Sequence, residues 1–261
     1  PVVFGGLTPN KTYFVQIASA RSAFGYTEGN VCLNIKDAGI EPVKAKIKLL
    51  LQGAYTNNGQ MRTTLLDNNL LPADQPYNTA PWNYNGRECL NNLPNNMVDW
   101  VLVELRSAAN PAAIVERKAA LLLANGSVVS ANADGVWFDN AIANQNYHIV
   151  VRHRNHIALM SNNAITLPNV SAFNFAGNPS NIMGGSVQVA AMGSGYYALK
   201  AGDLNGNGVI TVHDFNYYVT QSSALNVYNP ADCTLDKVVS VADFNAYQPN
   251  ASATGVSYIR Y

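Results

Sequence analysis

Charged residues and long apolar runs are both scarce in this 261-residue chain. Only 12% of its residues are charged, and 16 basic side chains are balanced by 16 acidic ones. A basic face that holds a nucleic-acid backbone is therefore not expected. The chain also lacks a run of about 18 apolar residues, so the sequence predicts no membrane-spanning helix.

Cysteine is rare as well. The three cysteines, Cys32, Cys89 and Cys233, allow at most one disulfide within the chain and leave one thiol over. Their spacing does not select a pair, and buried free thiols are the alternative.

Asparagine is abundant where charge is not, and it often occurs in adjacent pairs such as Asn57-Asn58 and Asn95-Asn96. Polarity that comes from amides suits a chain outside the cell. A net charge of zero also gives little repulsion against self-association.

Residues 203–214 carry oxygen-bearing side chains at the spacing of a calcium loop. Such a loop offers oxygens from positions 1, 3, 5, 7, 9 and 12, with a glycine at position 6 for the sharp turn. Gly208 stands at position 6. The residues at the six ligand positions are Asp203, Asn205, Asn207, Val209, Thr211 and Asp214. An Asn-Gly turn that binds nothing is the alternative, but agreement in one register favours a calcium site.

A second copy of the pattern begins 29 residues later. Its ligand positions hold Asp232, Thr234, Asp236, Val238, Ser240 and Asp243. Lys237 replaces the glycine, so a side chain has to accept a positive φ at a cost of about 1 kcal/mol. Three carboxylates instead of two partly offset that strain. The two patterns predict two bound Ca²⁺ ions, with the better geometry in the first loop.

Paired loops that each lead into a short helix resemble the dockerin module, over about residues 200–250. Phe215 and Phe244 follow the two terminal aspartates in register. By this resemblance, the twelve residues above are the calcium ligands. The family's cohesin-reading positions 10 and 11, often Ser-Thr, are here Val212-His213 and Val241-Ala242. The resemblance therefore implies calcium-dependent folding with a structural role for the ion, rather than cohesin recognition.

The rest of the chain has the pattern of β structure. Short apolar, β-branched and aromatic runs between Asn, Gly and Pro clusters occupy residues 44–55, 97–106, 114–124, 147–153 and 187–192. Strands of this length predict antiparallel β-sandwich domains, followed by a small α-helical calcium-binding module.

Two segments need a choice between alternatives. Residues 112–124 also suit a helix by composition, but the Asn125-Gly126 turn that follows favours a strand. The closing residues 256–261 alternate in polarity, which predicts a final strand that joins its own sheet or that of a neighbour.

The N-terminal segment resembles the tyrosine-corner region of a fibronectin type III domain. The matching residues are Leu7, Pro9, Tyr13, Val15 and Ile17. Residues 1–43 would then be the C-terminal half of a sandwich that normally has about 100 residues. Half a sandwich leaves an open edge. Truncation of a longer protein, packing onto the central domain and completion by a neighbouring subunit are three open explanations.

The central motifs run in an order that resembles the C-terminal region of very large secreted or surface proteins of the Bacteroidetes. They include Pro81-Trp-Asn-Tyr84 and Val151-Arg-His-Arg-Asn-His-Ile157, and the likeness covers about residues 44–250. It implies an extracellular β module of adhesin-like or matrix proteins. The expected domains are residues 1–43, a β-sandwich over 44–199, and the dockerin-like loops with the final strand over 200–261.

Candidate catalytic groups are few. His153 and His156 could bind a metal or act as a base, but residues three apart on one strand point to opposite faces, so a structural role is expected. Glu104 and Arg106 share one face, which predicts a salt bridge. Paired carboxylates for glycoside hydrolysis would have to come from Glu88, Asp99, Glu104 and Glu116, which nothing in the sequence brings together.

Aromatic side chains could form a sugar-stacking platform or simply fill a core. They are Tyr55, Tyr77, Trp82, Tyr84 and Trp100.

Together, these patterns predict a secreted or cell-surface protein without enzymatic activity. We expect a structural or adhesive chain, such as a filament subunit, that is stabilised by calcium and associates with itself or another surface protein through strand pairing. The alternative is a carbohydrate-binding module of a polysaccharide-degrading complex, with a dockerin-type tail and a glycan as ligand.

Overall fold

A computed structural model describes residues 41–131 and 133–261 of the chain. The fibronectin-like segment expected over residues 1–43 lies outside the described residues, except for its last three positions.

Within those ranges the chain forms twelve strands and three α-helices. The strands are β1 (Val43–Ala45), β2 (Ile47–Lys48), β3 (Met97–Ser107), β4 (Ile114–Leu123), β5 (Ser127–Val129), β6 (Val136–Phe138), β7 (Gln145–His153), β8 (His156–Met160), β9 (Ile165–Leu167), β10 (Phe173–Asn174), β11 (Val189–Gly193) and β12 (Tyr196–Leu199). The helices are α1 (Thr64–Asp67), α2 (Val212–Gln221) and α3 (Val241–Tyr247).

Eight strands form one sheet in the order β10-β2-β5-β4-β3-β7-β8, and β9 pairs with β7 beside this path. The pairs are antiparallel except β10 with β2. Two small sheets, β1 with β6 and β11 with β12, complete the β structure. The mainly β character predicted from the sequence is confirmed, and the arrangement is compatible with a sandwich.

The centre of the large sheet consists of its three longest strands. Residues 97–106, 114–124 and 147–153 form β3, β4 and β7, and the Asn125-Gly126 turn links β4 to β5 as expected. Every residue of β3 except its last is buried, because β3 is flanked by β4 and β7 and covered on both faces. This explains why β3 carries apolar residues on both of its faces, with its charged residues Asp99, Glu104 and Arg106 buried as well.

Two strand predictions need correction. The run 44–55 forms only the short strands β1 and β2. The closing residues 256–261 form no strand; a 3₁₀ turn covers Ser257–Ile259. Val256 and Ile259 are buried while Ser257 and Tyr258 are exposed, so the apolar spacing is three residues, which fits a 3₁₀ turn better than a strand.

Helices α2 and α3 pack against each other through equivalent residues of the two sequence copies. The rings of Phe215 and Phe244 lie 5.9 Å apart in an edge-to-face contact. No helix in the described ranges is long and apolar enough to cross a membrane.

Candidate calcium-binding loops and the contacts behind them

The first predicted loop turns tightly around the carboxylate of Asp203. Gly206 and Gly208 adopt positive φ angles of 71° and 87°, as a sharp turn requires. The backbone N–H of Gly208 donates to Asp203 Oδ2 at 2.9 Å. Asp203 Oδ1 is buried and has no hydrogen-bond partner among the described residues. One oxygen of a buried carboxylate is thus left unsatisfied at loop position 1.

The last ligand position closes the loop from the other end. Asp214 Oδ1 accepts from the backbone N–H groups of Leu204 and Asn205 at 2.9 and 3.3 Å, and Oδ2 accepts from Thr211 N at 2.8 Å. Thr211 is the N-cap of α2, and it forms a capping box with Asp214. Loop positions 2, 3, 9 and 12 are therefore held together at the start of the helix.

The asparagines at positions 3 and 5 curl the loop between these ends. Asn205 Oδ1 accepts from Asn207 N at 2.9 Å, and Asn207 Oδ1 accepts from Val209 N at 2.8 Å. Each amide oxygen keeps a second lone pair that can face a cation.

The second loop repeats this arrangement. Asp232 Oδ2 accepts from Lys237 N at 2.9 Å, and Asp236 Oδ1 accepts from Val238 N at 3.0 Å. Asp243 accepts from the N–H groups of Thr234 and Ser240 at 2.9 and 2.8 Å, and Ser240 caps α3.

The lysine that replaces glycine behaves as predicted, because Lys237 has a φ of 74°. Its ammonium group leaves the loop and donates to Asn68 Oδ1 at 2.8 Å. Arg62 Nη1 lies 3.8 Å from Asp236 Oδ2, so a cationic side chain from outside the loop faces a predicted ligand.

In the absence of a cation, burial disfavours the ionised form of the loop carboxylates. It raises the pKa of Asp203 to about 7, and repulsion from Asp214 adds to the shift. Burial likewise raises the pKa of Asp232 to about 6, with repulsion from Asp243 adding and Arg154 opposing. The pKa of Asp243 is raised by burial as well. A divalent cation would compensate these charges.

The donor set is made of oxygens from carboxylates, amides, hydroxyls and backbone carbonyls, which are the ligands that calcium prefers. In the described part of the chain, no group of three His, Cys, Asp or Glu side chains is placed to hold a metal ion. A site in either loop would therefore depend on its amide, hydroxyl and carbonyl oxygens as well as its carboxylates.

The expectation that His153 and His156 point apart is wrong. Residues 154 and 155 form a two-residue turn between β7 and β8, so the two histidines are cross-strand partners. Their Nδ1 atoms lie 3.1 Å apart. The prediction failed because it placed both residues on one strand.

The hydrogen bonds of the two rings indicate which ring nitrogens carry a proton. Gly53 N–H donates to His156 Nε2 at 3.3 Å, so the His156 proton is on Nδ1. The His156 Nδ1–H faces two acceptors, Asn155 Oδ1 at 2.7 Å and His153 Nδ1 at 3.1 Å. The Nε2–H of His153 donates to Asp99 Oδ2 at 3.1 Å. Burial lowers the pKa of both rings. Burial thus favours the neutral form of both rings, and all four ring nitrogens have partners within the fold.

The same turn docks the sheet onto the second loop. Arg154 Nε donates to Asp99 Oδ2 at 2.9 Å, and its guanidinium lies 4.2 Å from the ring centre of Tyr228. Asn155 Nδ2 donates to the carbonyl oxygens of Pro230 and Asp232 at 2.9 and 2.8 Å. A turn that the sequence analysis did not identify is thus the junction between the sheet and the calcium loops.

The predicted pair of Glu104 and Arg106 is confirmed, and it is fully buried. Glu104 Oε2 accepts from Arg106 Nη2 at 2.6 Å, and Glu104 Oε1 accepts from Arg152 Nε at 2.8 Å. These partners offset the cost of burial and keep the pKa of Glu104 below its ordinary value.

Two of the other candidate carboxylates, Glu88 and Glu116, lie in the same part of the fold, because both act electrostatically on Tyr84 and Lys118. Glu88 Oε2 is buried and has no hydrogen-bond partner among the described residues. Glu116 accepts from the backbone N–H groups of Asp139 and Asn140 at 3.0 and 2.7 Å. Glu88 accepts from the hydroxyl of Tyr84 at 2.5 Å. Asp99 belongs to the histidine and arginine cluster described above.

The aromatic side chains considered as a sugar platform belong to the core instead. Tyr77, Trp82, Tyr84 and Trp100 are all buried, and only Tyr55 is partly exposed. The Tyr77 hydroxyl donates to the Trp100 carbonyl at 2.8 Å, and the ring of Tyr77 meets Trp82 edge-on at 5.2 Å.

The cysteines have distinct states. Cys233 is a buried free thiol, and Cys89 is disulfide-bonded.

Comparison with known proteins identifies no family for this chain. No family model matches it, and neither does any curated protein. Two solved structures are similar, the N-terminal and C-terminal interface mutants of a type II cohesin-X-dockerin complex from Acetivibrio cellulolyticus. Their matching chains are 14% and 15% identical to this one, with a TM-score of 0.34 in both cases. Each match covers 59% of this chain and 82% of the other. A TM-score at this level does not establish a shared fold.

Proposed function

We propose that this chain is a secreted, non-enzymatic structural or adhesive module whose C-terminal part folds around two calcium ions. The observation that carries the proposal is the unsatisfied, buried Oδ1 atom of Asp203 at the first ligand position.

A helix cap alone does not explain the loop. The capping box accounts for Thr211 and Asp214, which many helices without metal also use. It does not account for a carboxylate at position 1 that is only 2% exposed and lies near a second carboxylate. Burying a charge without a partner is costly, and a bound cation removes that cost.

Calcium would neutralise the carboxylates of each loop and fix the backbone between them. The first loop would hold it with Asp203, Asn205, Asn207, Val209, Thr211 and Asp214, and the second with Asp232, Thr234, Asp236, Val238, Ser240 and Asp243. Because an unfolded loop does not gather these oxygens, the binding free energy becomes folding free energy.

The extracellular assignment has two supports. Calcium loops of low charge need free calcium in the micromolar to millimolar range. The disulfide at Cys89 fits an oxidising compartment. In this setting we propose association with a second copy or another surface protein through strand pairing.

The structural role is favoured over catalysis and glycan binding by the state of the candidate residues. The two histidines and the carboxylates of Asp99, Glu104 and Glu116 are engaged in contacts within the fold, and Glu88 accepts a hydrogen bond through one of its two oxygens. The carbohydrate-binding alternative is less favoured, since four of the five aromatic residues that could stack on a sugar are buried.

Calcium titration of the whole chain by calorimetry tests the proposal. We expect two binding events in the wild type and one in each of Asp203→Asn and Asp232→Asn. Calcium at 100 times its Kd should stabilise the fold by about 2.7 kcal/mol per site. An absence of binding heat, together with an unfolding temperature that chelation leaves unchanged, would refute the calcium sites.

A further inference from the structure

The last nine residues of the chain run alongside the first calcium loop. We refer to residues 253–261 as the C-terminal strap. Their only regular element is the 3₁₀ turn Ser257–Ile259, so the strap depends on contacts with the rest of the fold.

One set of contacts joins the strap to the loop backbone. Tyr261 N donates to the Asn207 carbonyl at 3.1 Å, Gly255 N donates to the Gly208 carbonyl at 2.8 Å, and Ile210 N donates to the Ala253 carbonyl at 2.9 Å. These bonds flank ligand positions 5 and 7 of the loop. The conformation of the loop therefore decides whether they can form.

A second set of contacts joins the strap to the large sheet. Val256 and Ile259, which are 9% and 2% exposed, pack in one cluster with Val150, Ala158 and Met160 of β7 and β8. The strap thus covers apolar side chains of the sheet.

The strap also covers the buried ion cluster. Arg106 Nη1 donates to the Tyr258 carbonyl at 3.0 Å, and the guanidinium of Arg152 lies 4.3 Å from the ring centre of Tyr261. Both arginines are partners of the buried Glu104.

We propose that calcium in the first loop acts as the latch of this strap: the ion holds residues 207–210 in the conformation that binds the strap, and its loss releases the strap from the sheet. The inference rests on the proposed calcium site. It follows from the position of the strap, which bonds to the same short segment that supplies two ligands. The second loop shares none of the strap contacts named above.

Hydrogen exchange of residues 253–261 in the full chain, with calcium and with a chelator, measures the latch directly. Chymotrypsin cleavage after Tyr258 gives an independent readout, because the Tyr258 side chain is already 53% exposed and only release of the backbone is needed. We expect fast exchange and cleavage without calcium, and protection with calcium. In saturating calcium, Asp203→Asn should lose the protection and the matched variant Asp232→Asn should keep it.

The reciprocal experiment covers the case in which Asp203→Asn does not fold. Coupling between two sites acts equally in both directions. In the Asp232→Asn background, where the first loop is the remaining site, Ile259→Asp should weaken calcium binding by about fivefold or more. Val170→Asp, a change at a side chain that is 91% exposed, is the control and should leave the affinity unchanged.

The outcomes separate this inference from the proposed function. If calorimetry shows no calcium binding, both fail. If calcium binds to the first loop but exchange of the strap is the same with and without it, only the latch is overturned. Equal loss of strap protection in Asp203→Asn and Asp232→Asn also overturns it, since the effect would then reflect general unfolding.

Discussion

At the scale of single residues, the buried histidine pair makes a sharp prediction about protonation. The proton on His156 Nδ1 faces Asn155 Oδ1 and His153 Nδ1, and the Nε2 atoms of the two rings contact Asp99 and the backbone of Gly53. A further proton on either ring would break one of these contacts. We expect both rings to remain neutral in an NMR titration through the range near pH 6.5 in which an unperturbed histidine takes up its proton.

The sign of the linked stability follows from the lowered pKa values. Between the folded pKa and about 6.5 the unfolded chain binds more protons, so the histidines' contribution is complete above pH 6.5 and declines as the pH falls below it. Titration of either ring near pH 6.5 in the folded protein would contradict the proton assignment.

Gly53 lies in the turn after β2 and packs against the backbone of the second loop. A Cβ atom placed there would lie 1.9 Å from the carbonyl oxygen of Cys233, which belongs to the backbone and cannot rotate away. Gly53→Ala should lower the free energy of unfolding by about 2 kcal/mol or more in urea denaturation. Gly177→Ala is the control, because a Cβ there approaches only the Asn174 side chain. Equal effects of the two variants would contradict this account.

At the scale of the element, the second candidate calcium loop is strained at one position. Lys237 holds a φ of 74° where the first loop has Gly208. Lys237→Gly should relieve about 0.5–1 kcal/mol of strain and tighten calcium binding at this loop. Calorimetry and urea unfolding measure both effects. Asn68→Ala removes the hydrogen bond of the Lys237 side chain but leaves the backbone of Lys237 unchanged. This variant therefore separates the effect of that hydrogen bond from the effect of the backbone strain. A loss of affinity in Lys237→Gly would show that the lysine stabilises the loop.

Local patterns were sufficient for some elements. Strands β3, β4 and β7 and the positive φ angles of Gly208 and Lys237 could be predicted, because each depends on neighbours in sequence. The turn at Arg154-Asn155 could not, since it lacks the Asn-Gly or Asp-Gly signature of a two-residue hairpin. The burial of Trp82 and Trp100 could not be predicted either, because it depends on which distant segments cover them.

At the scale of the whole molecule, calcium and pH should act on stability together. Without calcium, the pKa of Asp203 is about 7 in the fold against an ordinary 3.8, so the folded state binds more protons than the unfolded state between these values. The free energy of unfolding therefore decreases as the pH rises from about 4 to 7, by about 4 kcal/mol for this group. The histidine pair acts in the opposite direction.

The contribution of Asp203 is best measured as the difference between the wild type and Asp203→Asn. Urea unfolding at pH 5 and pH 7.5 in a chelator should show that the variant gains stability relative to the wild type at the higher pH, because it has no charge to bury. In saturating calcium the wild type should instead gain stability relative to Asp203→Asn, since the wild-type carboxylate is then ionised and paired with the cation. A difference that is independent of both pH and calcium would mean that Asp203 is satisfied by the fold alone. A stability difference that changes sign when calcium is added would show that the buried carboxylate of Asp203 needs the cation as its partner.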